Sequence, residues 1–315
     1  MERLASYYLK IHKGYVLNVS KLSYENLDKV YKDEHEQQLV KNLMNSETYK
    51  IAEEDINFLK SYEVRGIRLE LDYLKAELAL NTLGIKNTVV VFGSARIREE
   101  KIAKEKLDLA KKELKENPKS KKLKQNLLIA QKLLEKSKYY DDAREFGKIV
   151  AQKGKNLDDC PVVIATGGGP GIMEAANRGA HEEGANSIGF NINLPKEQFP
   201  NPYITPELCF QFHYFAVRKL HFINRAKALV VYPGGFGTLD ELFETLTLIQ
   251  TKKSSQIPIV LVCKDYWEKT INFDFLLEEG SISNDDIKMF KMVENAKEAW
   301  EYILNWYVDY KESLV

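Results

Sequence analysis

Ala228-Leu229-Val230-Val231-Tyr232-Pro233-Gly234-Gly235-Phe236-Gly237-Thr238-Leu239-Asp240-Glu241 runs from an apolar stretch through a glycine turn into a helix start that carries a carboxylate. Ala228 to Val231 reads as a strand. Beyond the turn, Leu239, Leu242, Phe243, Leu246 and Ile249 recur at helical spacing. Glycines between a strand and a helix let the backbone approach a ligand closely and point N–H groups at it, and the helix dipole adds positive potential. The unit reads as an anion cradle with Glu241 beside it. A plainer account fits the same residues: Thr238 and Glu241 are spaced as a capping box that starts a helix.

A second unit of the same design follows the apolar run Val162 to Ala165: Thr166-Gly167-Gly168-Gly169-Pro170-Gly171-Ile172-Met173-Glu174-Ala175-Ala176-Asn177. In an open parallel sheet such turns lie at the carboxyl ends of strands, and a ligand sits where they converge. Two of them suggest one shared ligand. A dinucleotide fold would want G-x-G-x-x-G and an acidic residue about 20 positions on. Here no final glycine is in register, and the next strand, Ser187 to Phe190, runs into Asn191 and Asn193. No nicotinamide or flavin cofactor is expected. The first strand, Thr88 to Phe92, ends in Gly93-Ser94-Ala95-Arg96, which fits either a third wall of the ligand site or an ordinary strand-to-helix turn.

Farther out, strand-like runs beginning near Ser187, Leu208, Ala228 and Ile259 alternate with helical ones, the pattern of an α/β fold with a doubly wound parallel sheet. Residues 1–85 read as a helical N-terminal extension packed on the main domain, its periodicity clearest in Leu69, Leu71, Leu74, Leu78 and Leu80. Residues 86–315 form the main domain. Inside it, at about 101–138, lies a lysine-rich helical insertion broken at Asn117-Pro118, which a continuous helix would resist. Its 13 lysines against 5 acids would suit RNA, yet a solvated helix face is the commoner reason for such a run. Asp141 to Ala151 reads as a return helix, and Ala296 to Tyr310 as a closing one. The stretch Leu194 to Tyr203 holds three prolines, so it is neither helix nor central strand and is expected to border the pocket.

Composition narrows the class. The 315 residues are 44% hydrophobic and 29% charged, as in an ordinary soluble protein. A formal net charge of zero argues against a general nucleic-acid binder. Cys160, Cys209 and Cys263 form no C-x-x-C pair, which fits a reduced, cytoplasmic setting. The five histidines make no H-E-x-x-H or similar pattern, so no built-in metal is expected. No apolar run approaches the roughly 20 residues that span a bilayer, and Met1-Glu2-Arg3-Leu4 lacks the apolar core of a signal peptide. No membrane association is expected.

The helix Tyr214 to Arg225 precedes the opening strand. On a helical wheel Ala216, Val217, Leu220 and Ile223 form one apolar face, while Arg218 falls on the other side with Phe215 and Phe222. A charge set between two aromatics is not the usual solvated face. It fits a guanidinium beside a stacked base, or an arginine bridging two subunits.

Together, Thr166 to Asn177, the pair Arg218-Lys219 and Pro233-Gly234-Gly235-Phe236-Gly237-Thr238-Leu239-Asp240-Glu241 resemble the LOG ("lonely guy") family of Rossmann-like nucleotide phosphoribohydrolases, over residues 85–310. The hallmark is P-G-G-x-G-T-x-x-E downstream of R-K. Gly93-Ser94 within F-G-S-A-R is similar to the bacterial branch. The resemblance implies hydrolysis of the N-glycosidic bond of a nucleoside 5′-monophosphate, AMP or an N6-substituted AMP, to free base and ribose 5-phosphate. It implies an AMP nucleosidase-like enzyme without a cofactor, working as a dimer or larger homo-oligomer. Carried over, the catalytic pair falls on Arg218 and Glu241, and phosphate contacts fall on Gly234, Gly235, Gly237 and Thr238. Gly93, Ser94, Gly168, Gly169, Gly171 and Lys219 complete the substrate site. Arg218 fits three roles: orienting Glu241, binding phosphate, or assisting the departing base. Glu244, one turn on, is a second candidate carboxylate. Relatives have been labelled possible lysine decarboxylases, but no motif here supplies a recognisable cofactor-bearing lysine. Phe215 stands where plant-type members have Met, and the N-terminal extension and the insertion are absent from the minimal fold; both bear on base specificity. A nucleotide-binding regulator using the same turns without cleavage is the alternative.

Overall fold

The computed structural model describes residues 27–154, 162–194, 199–310 and 314. The chain start, Cys160 and residues 195–198 of the proline-rich stretch lie outside these. The chain divides into two compact units, the first ending at Leu74 and the second running from Lys75 to Val315.

The first unit is helical. Asp33 starts the helix Glu34–Met44 by accepting from the backbone N–H of His35 and Glu36, and Asp55 does the same for Ile56–Lys60 with Asn57 and Phe58. Arg68, on the helix Arg65–Thr82, donates to the Leu59 carbonyl at 2.7 Å.

The second unit is built on seven parallel strands: β1 (Asn87–Phe92), β2 (Val162–Thr166), β3 (Ser187–Ile192), β4 (Cys209–Phe212), β5 (Ala226–Val231), β6 (Ile259–Val262) and β7 (Phe290–Val293). Their order is β4-β3-β2-β1-β5-β6-β7. Helices cover both faces, so the central strands are near-continuous apolar runs; all six residues of β1 and all four of β6 are buried. This is the Rossmann-like doubly wound sheet expected. β7 was not expected: its Phe-Lys-Met-Val sequence is only partly buried, because it closes one edge of the sheet.

The chain winds from β1 outward through β2, β3 and β4, then returns to place β5 on the other side of β1. That reversal is the topological switch point, where neighbouring crossovers part and leave a crevice at the carboxyl ends of the strands. Phe92 at the end of β1 pairs with Val231 at the end of β5, and Val91 pairs with Thr166 at the end of β2. Three turns therefore open at one level: Gly93-Ser94, Gly167 to Gly171 and Pro233 to Gly237.

The insertion is a helical hairpin, Glu100–Glu116 and Lys121–Glu135, broken where Pro118 forbids continuation. Leu107, Ala110 and Ala130 are buried between its arms, with Leu127 and Leu134 packed on them. The return helix, Lys138–Gly154, is longer at each end than its sequence pattern suggested. The closing helix is Ala296–Asp309. Half-buried Asp142 ties these two helices to the sheet, accepting from Tyr232 Oη at 2.8 Å and from the Ala296 N–H at 3.0 Å. Among the described residues no helix is long and apolar enough to cross a membrane.

Candidate functional site

The three turns are stitched together by the backbone of Ser94. Its N–H donates to the Pro233 carbonyl at 3.0 Å, and its carbonyl accepts from the Ile172 N–H at 3.2 Å. Around them lies a cavity of about 710 Å³, within the size of small-molecule sites. Gly93, Ser94, Gly167, Arg218, Gly234, Gly235, Gly237, Thr238 and Glu241 all line it.

The helix after the opening turn runs from Phe236 to Gln250, with Gly235 at its N-cap and no side chain capping it. This corrects the capping-box account. Thr238 lies inside the first helical turn and Glu241 beyond it, too far along for the reciprocal bonds of a box. Thr238 instead packs beneath Gly234, filling the space a side chain on that glycine would need. Gly235 and Gly237 have nothing within 4 Å of where a Cβ would stand, so their backbone is open. Tyr266 braces the turn from behind, its Oη donating to the Gly234 carbonyl at 2.5 Å.

Arg218 projects from the helix Phe215–Asn224. Its guanidinium carbon is 5.1 Å from the centre of the Phe222 ring and 5.9 Å from that of Phe215, the aromatic setting read from the wheel. The wheel misassigned the buried side, however. Val217, His221 and Phe222 are buried, while Ala216 and Leu220 are exposed. The helix packs toward Phe190 and Phe212 of β3 and β4, and these aromatics take His221 and Phe222 as neighbours. Arg218 Nε is buried without a hydrogen-bond partner among the described residues.

Glu241 is 6% exposed at the cavity wall. Burial raises its carboxyl to about 7, against the opposing pull of Lys219 and Arg218 and with help from Glu244 and Asp240. A carboxyl poised near neutrality is suited to take or give a proton. Burial lowers the Arg218 guanidinium, and Glu241 opposes that shift. A buried carboxyl and a half-buried guanidinium thus face one space.

Not every expected residue reaches that space. Lys219 Nζ lies 2.8 Å from Asp240, 2.7 Å from Glu244 and 3.7 Å from Glu241. Burial lowers its pKa, but the hydrogen bonds to Asp240 and Glu244 outweigh this and hold it raised. It borders an outer hollow with Phe236 and Phe243 rather than the cavity. Gly168, Gly169 and Gly171 stand behind the wall. The Gly168 and Gly169 carbonyls accept from Asn201 Nδ2 at 3.2 and 3.1 Å, and Gly171, with φ of 77°, lies against the Ser94-Ala95 backbone. Glu174, from the same motif, holds Arg98 at 2.8 Å and Tyr140 Oη at 2.9 Å.

Other wall residues were not singled out from sequence: Met173, Ile192, Lys136, Leu133 and Tyr266. Met173 sits inside a quoted motif and was within reach. Leu133 and Lys136 belong to the insertion, whose helical form is legible but whose role is read from charge alone. Leu194 of the proline-rich stretch does border the cavity.

A family model described as "Possible lysine decarboxylase" matches residues 173–303, a span that holds Arg218 and Glu241. The cytokinin riboside 5′-monophosphate phosphoribohydrolase LOG of Oryza sativa subsp. japonica is 27% identical over 183 residues, 57% of this chain and 72% of that one. The Arabidopsis thaliana enzymes of the same name LOG3 and LOG7 are 29% identical over 167 residues and 30% over 152. Those matches cover 52% and 47% of this chain, and 73% and 68% of the relatives.

Proposed function

The chain belongs to the LOG family, and from that membership we propose that it hydrolyses the N-glycosidic bond of a nucleoside 5′-monophosphate, AMP or an N6-substituted AMP, releasing free base and ribose 5-phosphate. The observation that carries the reading is the pairing of buried Glu241 with half-buried Arg218 on one cavity whose opposite feature is an open glycine turn at a helix start.

The 5′-phosphate binds to the N–H groups of Gly235 and Gly237 at the start of the helix Phe236–Gln250, where the dipole favours an anion. Ser94 and Thr238 flank it. The base lies toward Met173, Ile192, Leu194 and Phe215, the apolar part of the wall. As the C1′–N bond breaks, positive charge builds on the ribose, as in glycoside hydrolysis, and ionised Glu241 stabilises it and takes a proton from the water that attacks C1′. The departing nitrogen takes its proton from solvent while Arg218 hydrogen-bonds to the base, and Glu241 returns to solvent the proton it took from the attacking water, so nucleotide and water give free base and ribose 5-phosphate. Because Glu241 stands on the helix that begins at the phosphate turn, anchoring the phosphate also sets the distance from carboxylate to sugar.

Phe236, 94% exposed at the helix start, together with exposed Phe215, Leu220 and Phe243, supports a homo-oligomer that covers this face. The deciding experiment is incubation with purine, pyrimidine and N6-substituted monophosphates, assaying free base and ribose 5-phosphate. Release from at least one is expected; binding without release from any would favour the non-catalytic regulator.

A further inference from the structure

The lysine-rich hairpin contributes to the cavity wall. Leu133 lies in its second helix, and Lys136 immediately follows that helix. Both line the same space as Ser94, Arg96, Gly234 and Tyr266. The Lys136 ammonium lies 4.8 Å from the centre of the Tyr266 ring, whose hydroxyl donates to the Gly234 carbonyl. A single tyrosine thus spans from this lysine to the glycine turn. Arg96 enters from the turn after β1, its backbone N–H donating to Ser94 Oγ at 3.1 Å.

Of the other cations nearby, Arg98 is engaged by Glu174 and Lys219 by Asp240 and Glu244, while Arg218 sits between Phe215 and Phe222 and is influenced by Glu241. Arg96 and Lys136 have no carboxylate partner among the described residues. A lysine resting on a tyrosine face is weakly held, and a phosphate oxygen offers it a stronger, charge-assisted bond. A phosphate monoester carries a charge of about −1.5 to −2 at pH 7, which two cations balance.

We propose that Lys136 and Arg96 form a cationic subsite for the phosphate group beside the glycine turn, so that the insertion selects nucleoside 5′-monophosphates over uncharged nucleosides. This rests on the nucleotide reading of the cavity, not on hydrolysis. Titration calorimetry with AMP on the whole protein tests it. Lys136→Gln and Arg96→Gln are each expected to weaken AMP binding about tenfold or more, while Lys136→Arg retains it and the thermal midpoints stay unchanged. In the base-release assay the same Gln variants raise KM and leave kcat alone. AMP affinity unchanged in both Gln variants, or lost equally in Lys136→Arg, overturns the proposal, as does a wild type that does not bind AMP. Lys136-dependent AMP binding without base release would instead overturn only the hydrolytic reading.

Discussion

The guanidinium of Arg218 occupies the place where a side chain on Gly167 would stand: a Cβ there would come within 2.7 Å of Arg218 Nη2 and 3.0 Å of Met173 Sδ. The arginine is set by the missing side chain on the β2 turn as much as by the two phenylalanine rings around it. Residues 51 positions apart in sequence are thereby one structural unit.

Gly167→Ala tests that unit. The backbone at Gly167 is not in the left-handed region, so alanine is tolerated locally, and the cost falls on the position of Arg218. A displacement of about 1 Å at a catalytic group is worth roughly 10²-fold in rate. Base release is expected to fall by that order with an unchanged circular dichroism spectrum.

Glu241→Gln removes the ionisable carboxylate and keeps its shape. Turnover is expected to fall by roughly 10² to 10⁴, with AMP affinity within a few-fold of wild type by titration. Unchanged turnover would remove Glu241 from the mechanism.

The pH profile follows from the raised carboxyl. Since Glu241 ionises at about pH 7 and the ionised form is the one proposed to react, kcat/KM should climb through that pH and level off above it. Lys219 pulls the Glu241 pKa down, so Lys219→Met should move the rising limb to higher pH. A limb that stays put in that variant would separate the profile from Glu241.

The same shift bears on stability. The folded carboxyl holds its proton up to about pH 7 and the unfolded one only to 4.5. Below the unfolded value the buried group is neutral in both states and costs nothing; as pH rises toward 7 the folded state is progressively penalised, by about 3 kcal/mol in all. In urea titrations Glu241→Gln should therefore be more stable than wild type at pH 8 by about that amount, with the gap closing toward pH 5.

Sequence reasoning reached the sheet and the three turns because their signals are local: an apolar run, a glycine cluster, a helical period. It failed where a tertiary neighbour decides. The wheel of the helix Phe215–Asn224 favoured Ala216 and Leu220 as the inner face, but the aromatic side chains of β3 and β4 select His221 and Phe222. The spacing of Thr238 and Glu241 imitated a cap, but the glycine turn lets the helix start earlier, at Phe236. Lys219 sits next to Arg218 in the motif, yet successive helical residues point in different directions, and three carboxylates hold it outside the cavity. β7 went unread because an edge strand of mixed polarity carries no clear alternation.

The pairing of Phe92 with Val231 also has a bearing on how the molecule is made. The hairpin between Glu100 and Glu135 needs only its own neighbours, so it can form early, whereas the crevice between β1 and β5 must wait until the chain has been synthesised past β5 and the two strands are drawn together. The crevice is thus among the last features completed during folding. A fragment that stops before β5 would carry Lys136 and two glycine turns with nothing to act on.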